Sequence, residues 1–108
     1  MIAETASDHM AYGVAYEAYE ELRDGADVAF PGAPDLTPQQ YFFVLTSLHY
    51  CNALDPKKFE STFRESMSHP MSFIRVNRGV GNSHYFMEAY NCTEKNKLFR
   101  KNQCRIFD

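Results

Sequence analysis

The chain has 108 residues with 14 acidic and 11 basic side chains, a net charge of −3, nine Phe, seven Tyr and no Trp. A single domain of this length buries roughly 65% of its unfolded surface, and the slight acidity argues against a nucleic-acid partner. No run approaches the about 20 apolar residues of a membrane helix, and the first residues are not expected to act as a signal peptide.

The first predicted element is a helix from Glu4 to Leu22, which contains no proline. At about 100° per residue, one face carries Glu4, Asp8, Tyr12, Ala15, Tyr19 and Leu22, and the opposite side carries Glu17, Glu20, Glu21 and Asp24. Glu4 and Asp8 therefore extend the apolar face, where a carboxylate is costly unless a cation or hydrogen-bond donors meet it. Two explanations stay open: both acids favour the helix dipole, or Glu4 is itself a ligand and Asp8 supports a neighbouring ligand.

The second predicted helix follows a loop rich in Gly, Pro and Asp. Thr37 is the expected cap, Pro38 suits the first position, and Gln40 completes a capping box. The segment YFFVLTSLHYC is apolar on nearly every side, which predicts a central, buried helix. His49 within it is expected to be a hydrogen-bonded core histidine, and Cys51 to be shielded.

The remaining pattern is helical with one interruption. Asp55 and Pro56 open a third helix whose one face carries Phe59, Phe63 and Met67. SHPMSFIRVN, interrupted at Pro70, is expected to be extended; GVGN is a predicted turn, SHYFMEAY a short helix and the rest a polar tail. The prediction is a mainly α chain of about four helices with a short extended segment, forming one unit over residues 1–108.

Few side chains are candidates for chemistry. No two of the four histidines lie four residues apart, and H-E-x-x-H is absent. His9 and His84 are expected to be solvated. His69 precedes a proline, and Arg75 follows six residues later, so together they could stabilise an oxyanion. The alternative is a helix-end histidine and a surface arginine.

Five motifs in order resemble the C-terminal part of the neprilysin and endothelin-converting-enzyme family of zinc metallopeptidases. ETASD is similar to the family's E-x-x-x-D helix, FPGAPDLTPQQYFF to P-G-x-x-L-T-x-x-Q-x-F-F, and SHPMSFIRVN to H-S-P-x-x-x-R-V-N. NSHYFMEAYNC and KNQCRIF are similar to the two closing cysteine segments. The resemblance covers nearly the whole chain and implies the C-terminal part of a thermolysin-like catalytic domain.

The resemblance implies a role for each matching residue. Glu4 would be the third protein ligand of a catalytic zinc, and Asp8 would orient one of two ligand histidines that H-E-x-x-H supplies. His69 would stabilise the tetrahedral intermediate, and Arg75 would hold a substrate carbonyl. Tyr50, with His49 beside it, would line the pocket for the residue after the scissile bond. His49 departs from the family's usual aliphatic residue there.

The same resemblance implies what the chain lacks. Without H-E-x-x-H and the N-terminal part of the peptidase, we expect no bound zinc and no activity from this chain alone, whereas the parent would hydrolyse peptides outside the cell or at its surface. Cys51, Cys92 and Cys104 would pair with cysteines outside this segment, so all three are expected to be free here, with Cys92 and Cys104 the more reactive. Uncovered apolar surface would favour homo-oligomers.

Two alternatives to a peptidase segment remain open. One is a non-catalytic helical interaction module derived from that family, and the other is a self-contained metal site built from Glu4, Asp8 and His69. The sequence also contains the glycosylation sequon Asn91-Cys92-Thr93, whose use it leaves undetermined.

Overall fold

The structure, a computed structural model, describes residues 2–65 and 69–104. Apart from an isolated bridge between Phe30 and Ala33, the regular elements in these two ranges are helical, which confirms the mainly α prediction. They are α1 (Ile2–Arg23), α2 (Pro38–Leu48), a 3-10 turn (Pro56–Lys58), α3 (Phe59–Glu65), α4 (Ser72–Gly81) and α5 (His84–Ala89). None of these helices is long and apolar enough to cross a membrane.

Both predicted helix starts are present. The Thr37 hydroxyl accepts a hydrogen bond from the Gln40 amide at 3.2 Å, and the Gln40 side-chain oxygen accepts one from the Thr37 amide at 3.1 Å. The Asp55 carboxylate accepts from the Lys57 amide at 2.9 Å and opens the 3-10 turn that leads into α3. In each case a side chain satisfies an N–H group that the first helical turn leaves without a partner.

The buried face of α1 differs from the predicted one. Asp8, Tyr12 and Tyr16 are buried, whereas Ala15 is exposed and Leu22 is 87% exposed. The face follows steps of four residues because large aromatic rings bury more area than alanine and meet the rings of α2. The Tyr16 ring stacks on Phe43 at 5.5 Å between centroids and on Tyr85 at 4.5 Å. The core is Tyr12, Tyr16, Phe42, Phe43 and Val80.

Helix α2 is buried on one side only, so the prediction of a helix buried all round is wrong. Phe43 is 2% exposed, but Leu48 on the other side is 57% exposed. The helix ends at Leu48, and His49 is its exposed C-cap instead of a core histidine. Cys51 lies beyond the cap and is exposed, which also contradicts the expected shielding.

The segment that was expected to be extended is helical in its described part. Met71 holds an extended conformation as the N-cap of α4, and the helix continues from Ser72 through the predicted glycine turn to Gly81. Proline disfavours the helical conformation for the residue before it and breaks a helix that would continue through it, but neither effect prevents a helix from starting two residues after Pro70. The result is five α-helices in the described ranges instead of about four.

The remaining predictions concern α3 and the tail. Phe59 and Phe63 lie on one face with their rings stacked at 6.5 Å, as predicted, but both are exposed. Met67, the third residue predicted for that face, lies outside the described residues. The same holds for the last three residues of the KNQCRIF motif. Helix α4 packs mainly on α1, and α5 packs on α2 and α4.

Candidate active site

The centre of the candidate site is an ion pair between α1 and α4. Arg75 donates from Nε to Asp8 Oδ2 and from Nη2 to Asp8 Oδ1, both at 2.6 Å. Asp8 is 9% exposed, and the Arg75 side chain is 18% exposed. These hydrogen bonds hold the pKa of Arg75 above its usual value. An inward-facing carboxylate requires a cation, and Arg75, 67 positions further along the chain, supplies it to Asp8.

Tyr50, just beyond the end of α2, contacts both partners of this ion pair. Its hydroxyl donates to Asp8 Oδ1 at 3.4 Å, and its ring centroid lies 4.9 Å from the guanidinium carbon of Arg75. Burial raises the pKa of the Tyr50 hydroxyl, and the neighbouring Asp8 charge raises it further. Tyr50 therefore remains a neutral donor to the carboxylate and a face for the cation.

Glu4 and His69 form the outer edge of the cluster. Glu4 Oε2 lies 3.7 Å from Arg75 Nη2 and 3.6 Å from His69 Nε2. Glu4 stands one helical turn before Asp8, so both carboxylates face the same guanidinium. The side chains of Glu4 and His69 are 39% and 58% exposed, which leaves this edge of the cluster open to a ligand. The structure thus brings together Glu4, Asp8, Tyr50, His69 and Arg75.

An apolar groove of about 630 Å³ begins at Tyr50. Its walls come from α2, α4, α5 and the tail and include Phe43, Val44, Leu48, Phe73, Val76 and Leu98. His49 does not line this groove; its ring meets Tyr50 edge-on at 5.2 Å. The structure therefore places Tyr50 between the charged cluster and an apolar surface, and His49 outside both.

A profile of peptidase family M13 matches residues 1–106. The chain belongs to peptidase family M13. It is 26% identical to neprilysin of Oryctolagus cuniculus and 25% identical to membrane metallo-endopeptidase-like 1 of Homo sapiens, each over 108 residues. Each comparison covers 98% of this chain but only 14% of the relative's length. No solved structure matches the M13 chain.

The described side chains of this M13 chain could supply one ligand of a metal site. Among the described residues, no three His, Cys, Asp or Glu side chains are grouped closely enough to hold a metal ion. Asp8 is held by Arg75 and Tyr50, whereas Glu4 is partly exposed at the edge of the cluster. Because a catalytic zinc needs three protein ligands, Glu4 could serve as one of them and the others would have to come from elsewhere.

The other two histidines of the M13 chain lie outside the cluster's contacts. His9 is half-buried, and its Nδ1 is a buried atom without a hydrogen-bond partner, so the expectation of a solvated side chain is wrong. His84 is also half-buried, with its ring 3.9 Å from that of Tyr85. Both histidines are thus less accessible than their positions on the polar flanks of α1 and α5 predicted.

Two features of the site were not predicted from the sequence. The direct Asp8–Arg75 pair was missed, although the inward-facing acid was a signal that a cation would be found opposite it. The close crossing that supports the pair was also missed: a Cβ at Gly79 would lie 2.6 Å from Cε2 of Tyr12. A glycine one helical turn after Arg75 was the available signal, but it was interpreted as part of a turn.

Proposed function

We propose that this chain is the C-terminal segment of a neprilysin-like zinc metalloendopeptidase, that it forms one unit of the parent's catalytic domain, and that it is inactive alone. The observation that carries the proposal is the convergence of Glu4, Asp8, His69 and Arg75 on one partly open site. The parent would supply two histidine ligands and a glutamate base from an H-E-x-x-H helix. Its substrates would be peptides outside the cell or at its surface, and Cys51, Cys92 and Cys104 would form disulfides with the rest of the parent.

The zinc side of the site rests on Glu4 and Asp8. Glu4 would be the third ligand of a zinc that, when bound, supplies Lewis-acid polarisation and an activated water. A carboxylate has about four acceptor positions, and Arg75 and Tyr50 occupy three of those on Asp8. One position remains, which is enough to accept the N–H of a ligand histidine and fix its orientation.

The substrate side rests on Arg75 and His69. Of the five N–H donors of a guanidinium, two are engaged with Asp8, and the other three, which bond to no acceptor among the described residues, would be available to a substrate carbonyl. Asp8 would therefore hold Arg75 in place while it binds substrate. His69, half-exposed beside Glu4, would donate a hydrogen bond to the developing oxyanion.

The test uses the parent protein that contains both this segment and H-E-x-x-H. Glu4→Ala is expected to remove bound zinc and abolish peptide hydrolysis, whereas Glu21→Ala, an exposed acid on the same helix, should change neither. His69→Ala should lower kcat by about 100- to 1,000-fold with little change in KM. Full zinc content and turnover in Glu4→Ala would contradict the proposal, as would tight zinc binding or chelator-sensitive hydrolysis by the segment alone.

A further inference from the structure

The turn after α5 contains a feature that the peptidase site does not use. Asn91 follows the C-cap Tyr90 and adopts a positive φ of 50°. Its amide donates to the Glu88 carbonyl at 3.1 Å, and the Cys92 amide donates to the Met87 carbonyl at 2.8 Å. Asparagine is one of the few residues that tolerate this left-handed conformation at a helix end. The positive φ thus explains why an asparagine is suitable at this position, but an aspartate or a glycine would also adopt it.

The side chains around Asn91 add a second observation. Asn91 and Thr93 are exposed, and Cys92 between them is half-buried. Within the described residues, the Asn91 side-chain amide makes no hydrogen bond, although the turn uses Asn96 Oδ1 to accept from the Thr93 amide at 2.7 Å. An accessible asparagine with a threonine two residues later is the acceptor sequence for N-linked glycosylation.

We propose that Asn91 carries an N-linked glycan when the chain enters a secretory compartment, an inference that rests on the proposed extracellular location. The donor is a lipid-pyrophosphate-linked oligosaccharide. A bond forms between Asn91 Nδ2 and the anomeric carbon of the first sugar, and the bond between that carbon and the pyrophosphate oxygen breaks. The lipid pyrophosphate leaves with the electron pair of that bond, and the proton that the amide nitrogen loses balances the charge on it. No oxidation or reduction occurs.

Asn91 and the charged cluster lie near opposite ends of α2. Gln40 Nε2 donates to the carbonyl of Ala89 at 2.9 Å, and the Tyr90 hydroxyl donates to the carbonyl of Gln40 at 2.9 Å. These contacts join the C-terminal end of α5 to the N-terminal end of α2. Tyr50 and the Asp8 cluster lie beyond the C-terminal end of α2. At 1.5 Å per residue, the helix rises about 15 Å between Gln40 and Tyr50.

The test is translation of the full chain, preceded by a cleavable signal peptide, in the presence of endoplasmic-reticulum microsomes. We expect the protease-protected product to carry one oligosaccharide that peptide N-glycosidase removes, converting Asn91 to aspartate. Thr93→Ala and Asn91→Asp should abolish the mass increase, and Thr93→Ser should retain it. Asn91→Asp keeps a residue that tolerates the positive φ, so loss of the glycan in that variant cannot be attributed to a misfolded turn.

Two results would overturn the proposal. One is a wild-type chain that is protease-protected but unmodified, and the other is a mass increase that persists in Asn91→Asp. Neither result depends on zinc or on peptide hydrolysis, so a failure of this proposal is distinguishable from a failure of the peptidase proposal. A parent that lacks the glycan can still hydrolyse peptides.

Discussion

At the scale of single residues, the Asp8–Arg75 pair should contribute strongly to stability. Arg75→Ala leaves a nearly buried carboxylate without its cation, which costs about 3–5 kcal/mol in comparable pairs. The matched control is Arg64→Ala, because Arg64 pairs with Glu60 at 2.5 Å but both side chains are more than 70% exposed. We expect its effect to stay below about 1 kcal/mol.

Urea unfolding followed by circular dichroism measures the difference between these two variants. The Arg75→Ala midpoint should fall well below that of Arg64→Ala, and Asp8→Asn in the Arg75→Ala background should recover part of the loss by removing the unpaired charge. Equal midpoints for the two arginine variants would mean that the Asp8–Arg75 pair is no more important to the fold than a surface pair.

The second residue-scale prediction concerns the order in which the cysteines react. It reverses part of the sequence-based expectation, in which Cys51 was shielded and Cys92 and Cys104 were the more reactive. All three are free thiols in the structure, with Cys51 and Cys104 exposed and Cys92 half-buried. Burial raises the pKa of the Cys92 thiol, and the thiolate is the nucleophile. Cys92 should therefore be alkylated more slowly than the other two at neutral pH. Peptide mapping after a timed iodoacetamide pulse measures this order, and unfolding in urea should abolish it.

At the scale of elements, the crossing of α1 and α4 depends on the missing side chain of Gly79. An added methyl group there would overlap the Tyr12 ring, whose Cε2 and Cδ2 lie 2.6 Å and 2.9 Å from the Cβ position. Overpacking of this kind costs about 1–3 kcal/mol, and Tyr12 is itself buried in the core. Gly79→Ala should therefore destabilise the protein despite the better helix propensity of alanine.

Gly13→Ala is the matched control for Gly79→Ala. It lies in the interior of α1 with nothing within 4 Å of its Cβ position, so alanine should stabilise the chain by about 0.5–1 kcal/mol. Thermal unfolding should move in opposite directions for the two substitutions. A rise in the Gly79→Ala midpoint would show that α4 can move away from Tyr12 without loss.

At the scale of the whole molecule, the apolar groove should make the isolated chain self-associate. Val44, Leu48 and Phe73 line this groove and are each at least 37% exposed. Exposed apolar surface of this kind is typical of interaction sites. Sedimentation equilibrium should show concentration-dependent dimers or larger species. We propose that in the parent this surface is covered by the rest of the peptidase.

Leu48→Glu places a charge in the groove and should shift the chain towards monomer. Leu22→Glu is the control: Leu22 is the more exposed leucine, at 87%, but it does not line the groove. Monomeric wild-type chain at every concentration tested would contradict the prediction. If both variants dissociate equally, association occurs through general hydrophobicity and not through the groove.

The sequence by itself determined the local features of this protein. Helix starts at Thr37 and Asp55 were predictable because each cap depends on residues within three positions of one another. The sequence also identified the candidate site residues and the family, since these depend on the order and spacing of motifs. Their roles in a zinc site stay predictions.

Only the tertiary structure decided which side chains meet. The Asp8–Arg75 pair joins residues 67 positions apart, and no periodicity within α1 specifies its partner. The same limit explains the wrong assignments of Leu22 and His49: periodicity shows which residues share a face, but burial depends on the neighbour that packs there. Position 79 in α4 requires a glycine because the Tyr12 ring occupies the space that a side chain would need, and this requirement is set by α1 and cannot be read from the sequence of α4.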